Sequence, residues 1–140
     1  MTKKIILILG ATALLFSGLA ASTTADKEKA AVAAAQSWLK LVDDGRYGDS
    51  WQEAASLFRN SITKEQWMSQ IQIVRQPLGK NLSRTLKNSN YTTTAPGAPD
   101  GEYVIIQFDT SFENKKAAIE TVTPMMDKDG KWRVSGYYIR

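Results

Sequence analysis

The chain has 140 residues, 43% of them hydrophobic and 23% charged, with a formal net charge of +4 and neither Cys nor His. That size and apolar content suit one globular domain with a continuous core rather than a disordered chain. The missing Cys and His set aside zinc, haem and thiol chemistry, lipid attachment at a cysteine, and the usual activated nucleophile systems; no metal and no cofactor is expected.

Lys3 and Lys4 precede a nearly unbroken apolar run over residues 5–16, and small residues follow from Ser17 to Ala25. This is the profile of a cleavable signal peptide. Residues 1–22 are read as the leader, cut between about 20 and 25, and residues 26–140 as one domain. The apolar run falls short of the roughly 20 residues that span a bilayer. No stable membrane insertion is therefore expected after cleavage, and the location is expected to be periplasmic or secreted. Loss of Lys3 and Lys4 leaves 16 basic against 14 acidic residues, scattered along the chain. No nucleic-acid partner is expected from such a pattern.

Asp26 is a candidate cap for a first helix, whose apolar stripe Ala31, Ala34, Trp38, Leu41 and Val42 stops at Gly45. Asp49 or Ser50 is expected to cap a second helix carrying Trp51, Ala54, Ala55 and Phe58 on one face. Thr63 and Gln66 form a capping box for a third, with Trp67, Ile71 and Val74 inward and Pro77 as its stop.

Beyond Gly79 the apolar period changes to two, and strands are expected over residues 82–94, 102–112, 117–126 and 131–139. Turn residues at 96–101, 114–115 and 127–130 separate them. In the second strand Val104, Ile106, Phe108 and Phe112 share a face that should pack on the helices. The predicted fold is α+β: three N-terminal helices on a curved, cone-like, four-stranded antiparallel meander.

Several short patterns also carry a family resemblance. They are Ser50-Trp51, Pro77-Leu78-Gly79, Ser83-Arg84, the segment 96–103 (PGAPDGEY) and the C-terminal segment 129–140 (DGKWRVSGYYIR). Together they resemble the bacterial domain-of-unknown-function family 4019 over roughly residues 33–140. The resemblance implies a cystatin-like cone similar to nuclear transport factor 2 and ketosteroid isomerase relatives, with no assigned activity and no catalytic residues to carry across.

A cone of this kind can enclose a pocket between sheet and helices. Trp51, Trp67, Arg84, Tyr91, Tyr103 and Glu120 are the candidate ligand-binding residues: aromatic walls, one carboxylate and one guanidinium suit a small apolar or anionic ligand. Arg75 and Arg84 flank the Pro77 break and together suggest an anion clamp. Core packing is the stronger explanation of each tryptophan, and a cap on a terminal carbonyl or a pairing with a nearby acid that of the two arginines. Asp43-Asp44 and Asp127 with Asp129 have adequate roles at a helix end and in a hairpin turn, without a metal. The reading is a non-catalytic small-ligand-binding or protein-interaction domain, with a homodimer through the exposed sheet face as one form of it. The alternative is a small isomerase or dehydratase using Glu120 as a buried base.

Overall fold

The computed structural model describes residues 21–140. Residues 1–20, which hold most of the expected leader, lie outside that range. Four helices, one more than expected, precede the sheet: α1 (Thr24–Asp43), α2 (Tyr47–Glu53), α3 (Ser56–Ser61) and α4 (Lys64–Arg75). A short 3-10 turn, Gln76–Leu78, follows α4 and contains Pro77. The extra helix arises because Ala54 and Ala55 adopt extended backbone, which separates Trp51 from Phe58. No helix among the described residues is long and apolar enough to cross a membrane.

Two expected caps move. Thr23, not Asp26, caps α1; its side chain accepts from the Asp26 N–H while Asp26 accepts from the Thr23 N–H, a reciprocal capping box. Arg46 stands at the start of α2 with no side-chain capping bond, so neither Asp49 nor Ser50 caps it. The box at the head of α4 is as read: Thr63 and Gln66 exchange two hydrogen bonds. Substitution of Thr63 by Ala removes one acceptor at that helix end and is expected to cost about 1 kcal/mol in urea-induced unfolding, against no measurable change for Gln70→Ala at an exposed position of the same helix.

The strands β1 (Asn81–Thr92), β2 (Tyr103–Phe112), β3 (Lys115–Met126) and β4 (Trp132–Ile139) form an antiparallel sheet in the order β1-β2-β3-β4, the meander expected from the turn spacing. Bulges between Leu86 and Asn88 and between Thr123 and Pro124 locally bend the ladder. At the β4 edge the Ala55 N–H donates to the Val134 carbonyl, which docks the start of α3 there. Asp127, in the β3–β4 turn, accepts from the backbone N–H and hydroxyl of Ser56, so the turn itself caps α3.

The core lies between the helices and one sheet face. It joins Ala31, Ala35, Trp38, Leu39 and Val42 of α1 to Val104, Ile106 and Phe108 of β2, Val122 of β3 and Val134 of β4. Trp38, Trp67 and Phe58 meet within it: Trp38 and Trp67 centroids lie 5.9 Å apart, and Phe58 stands edge-on to Trp67 at 4.9 Å. Trp51 packs at the margin. Ser50, fully buried, is the polar hub of this group. Its carbonyl accepts from Trp38 Nε1 at 2.8 Å, and its hydroxyl accepts from Trp67 Nε1 at 2.9 Å while donating to the Tyr47 carbonyl. Each buried indole N–H thus has a partner, as burial demands.

Candidate functional site

Strand alternation sends Arg84 of β1, Thr110 of β2, and Glu120 of β3 to the helix side of the sheet, where they meet Tyr137 of β4. Glu120 is completely buried. Its Oε1 accepts from Arg84 Nε and Thr110 Oγ1, both at 2.6 Å. Its Oε2 accepts from Arg84 Nη2 at 3.2 Å and from the Tyr137 hydroxyl. A carboxylate has about four lone-pair sites, and all are taken here.

The chain of charge continues outward. Arg84 Nη1 and Nη2 donate to Asp43 Oδ2 and Oδ1 at 2.7 and 3.0 Å, and Arg75 Nη2 donates to Asp43 Oδ1 at 2.7 Å. The Arg75 guanidinium also sits 4.9 Å over the Phe112 ring. Glu120, Arg84, Asp43 and Arg75 therefore alternate in sign and sum to zero, tying β3, β1, α1 and α4 together. Burial pulls the Asp43 carboxyl upward, but the hydrogen bonds and charges of Arg84, then Arg75, outweigh it and hold the group below its ordinary range. For Tyr137, burial first and the adjacent Glu120 charge second push the phenol well above its usual value. Arg84 loses by burial and gains more from Asp43 and Glu120, so it stays charged.

Of the six candidate residues, the structure joins only Arg84 and Glu120. Trp67 is a core residue, and Trp51 donates its indole N–H to the Ile62 carbonyl at 2.9 Å. Tyr91 donates to Glu102 at 3.0 Å, beside Lys27, on the flank of α1. Tyr103 belongs to the sheet face away from α1 and is buried there, its hydroxyl donating to the Pro99 carbonyl at 2.6 Å. Arg75 and Arg84 do converge, on Asp43 of the same chain. Thr110 and Tyr137 escaped the sequence reading, and Asp43 was read only as a helix-end residue, not as the partner of both arginines. Their signal was faint: Thr110 and Tyr137 fall on the helix side of the strands, but nothing in a linear pattern pairs them with Glu120. Asp127 and Asp129 have protein partners as well, Ser56 and Arg133 respectively.

A different concavity lies on the sheet face away from α1. It is a cleft of about 490 Å³, floored by Tyr103 and Ile105 of β2, Thr121 and Thr123 of β3, and Gly136 and Tyr138 of β4. The β1–β2 loop at residues 95–98 forms one wall, and Leu57 and Ser61 of α3 form another. Thr121 is buried and its hydroxyl has no partner among the described residues. An unmade hydrogen bond of that kind costs about 1–3 kcal/mol. Tyr138, opposite Thr121 in the register, is 57% exposed.

A helical layer on one face of a four-stranded meander, with a saturated interior ion network and an open cleft behind the sheet, defines a small α+β domain. A family model described as "Protein of unknown function (DUF4019)" matches residues 34–137, and the chain belongs to that family. No curated protein and no solved structure matches it significantly.

Proposed function

We propose that this is a non-catalytic binding domain of the cell envelope or exterior, with a cystatin-like, cone-type arrangement, and that its binding surface is the cleft behind the sheet. The cleft carries the reading: about 490 Å³ bounded by a loop, a helix and three strands is within the range of small-molecule sites. Export rests on the lysine-apolar-small profile of the leader. A cut after Ser22 would leave Thr23 free to cap α1. The isomerase-type alternative loses support because a general base needs a free lone pair within reach of a substrate proton, and every acceptor site of Glu120 is occupied by a donor of the same chain.

Gly136 provides the test. A Cβ added there meets no atom within 4 Å, so Gly136→Phe should fill the cleft while leaving the core untouched. Native mass spectrometry on mature protein from the organism that makes it is expected to find an adduct on the wild type that denaturation releases and that G136F lacks. A G136F-sensitive dimer in place of an adduct would identify a second copy as the occupant. The same spectrum from wild type and G136F would remove the cleft as the binding surface.

A further inference from the structure

We infer that the cleft takes an uncharged ligand, an apolar body carrying a hydroxyl or similar hydrogen-bond donor; this rests on the cleft being the binding surface. The lining contains no Asp, Glu, Lys or Arg, in a chain where 23% of residues are charged. Neighbouring concavities differ: the one beside the β3–β4 turn is lined by Glu53, Arg59, Asp127, Lys128, Asp129 and Arg133. An ionic ligand in the uncharged cleft would give up water and meet no counter-charge, which is strongly unfavourable. A neutral one meets Leu57, Pro96, Ile105 and the Tyr138 ring.

The hydroxyl inventory of the cleft then selects among neutral ligands. Tyr103 gives its proton to Pro99, Ser61 to Leu57 and Ser135 to Thr123, each to a backbone carbonyl at 2.6–2.7 Å. Those protons are committed, whereas the hydroxyl oxygens keep lone pairs that accept. The Thr121 hydroxyl, buried without a partner, and those of Thr123 and Tyr138 can each do either, so all six hydroxyl oxygens of the lining can accept and only three can also donate. A surface with spare acceptors and no charge favours a ligand that donates.

Three probes of one shape separate the possibilities: 2-naphthol, 2-methoxynaphthalene and 2-naphthalenesulfonate, titrated by calorimetry against the mature protein, its G136F variant and its T121V variant. The expected result is that 2-naphthol binds the wild type about tenfold more tightly than either of the others, the worth of one hydrogen bond. Its affinity should hold between about 50 and 500 mM salt, since no ion pair is involved. G136F should abolish binding, and T121V should weaken it while leaving the protein folded. Equal or tighter binding of the sulfonate, still abolished by G136F, would overturn the ligand class and keep the cleft. Binding of none of the three in a Gly136-dependent manner would remove the cleft and the ligand class together.

Discussion

Glu120→Ala is expected to destabilise the domain by about 3–5 kcal/mol, because it leaves the Arg84 guanidinium short of its buried partner rather than merely deleting a contact. Glu120 is fully buried, and the Arg84 side chain is only 13% exposed, so water cannot replace the lost carboxylate cheaply. Thr110 and Tyr137 also lose their shared acceptor. A domain of this size has a total stability of about 5–15 kcal/mol, so the variant should unfold at far lower urea by tryptophan fluorescence. The double substitution Glu120→Leu with Arg84→Met removes both charges and should recover much of the loss. A loss under about 1 kcal/mol for E120A would show that the network contributes little and would reopen a role for the carboxylate in chemistry.

The same network contributes to the acid limb of stability, alongside Glu102, Asp127 and Asp129, whose carboxyls are also held low by their partners. The folded Asp43 carboxyl is held below its ordinary range, so its contribution is present above the unfolded-state value and is lost as pH falls through the lowered one. Stability of the wild type should therefore fall more steeply on acidification than that of Asp43→Asn. Parallel pH profiles for the two would contradict the assignment. Asp43 is partly exposed at 22% of its side chain, so solvent screening makes this effect smaller than that of Glu120.

The second large effect belongs to Trp38. It is 3% exposed, lies 5.3 Å from the Tyr137 ring and 5.9 Å from Trp67, and donates to the Ser50 carbonyl. Trp38→Ala empties the centre of the core and is expected to cost about 3–5 kcal/mol in the same urea measurement. Trp67→Phe keeps most of the ring volume but leaves the buried Ser50 hydroxyl without its indole donor, a loss of about 1 kcal/mol. If the two variants cost the same, the hydrogen-bonded Ser50 hub, not ring volume, would be what holds α1, α2 and α4 together.

Much of the fold was legible in the chain because its signals are local. The period near 3.6 over Ala31 to Val42 and the Thr63–Gln66 box mark helices by themselves, and the alternation from Val104 to Phe108 marks a strand with one buried face. The break between α2 and α3 was not legible: Ala54 and Ala55 are good helix formers, and they are extended only because Ala55 donates to Val134, almost eighty residues later in the chain. The cap at Thr23 was missed for a smaller reason: Thr23 and Asp26 are both good caps, and the structure uses them as a reciprocal pair.

The candidate site was legible only in part. Residue chemistry made Arg84 and Glu120 worth naming, but their pairing depends on the register that sets Arg84 against Thr110 and Thr110 against Ala118, with Glu120 two residues further along β3. Thr121 and Thr123 were not singled out in the sequence at all: they lie on the sheet face opposite Glu120, and the cleft they floor exists only because α3 and the β1–β2 loop arrive from distant parts of the chain.

The sequence by itself determined the classes of chemistry available to this protein, since no arrangement of a chain without Cys or His makes a thiolate or an imidazole. Apolar periodicity, through the geometry of 3.6 and 2 residues per repeat, likewise set the order of helices and strands. Tertiary structure alone decided what the polar residues do. A buried carboxylate is a base or a tie according to whether donors surround it, and for Glu120 those donors come from β1, β2 and β4. Whether a concavity forms depends on which distant segments close around one face of a sheet, and that is a property of packing, not of any local pattern.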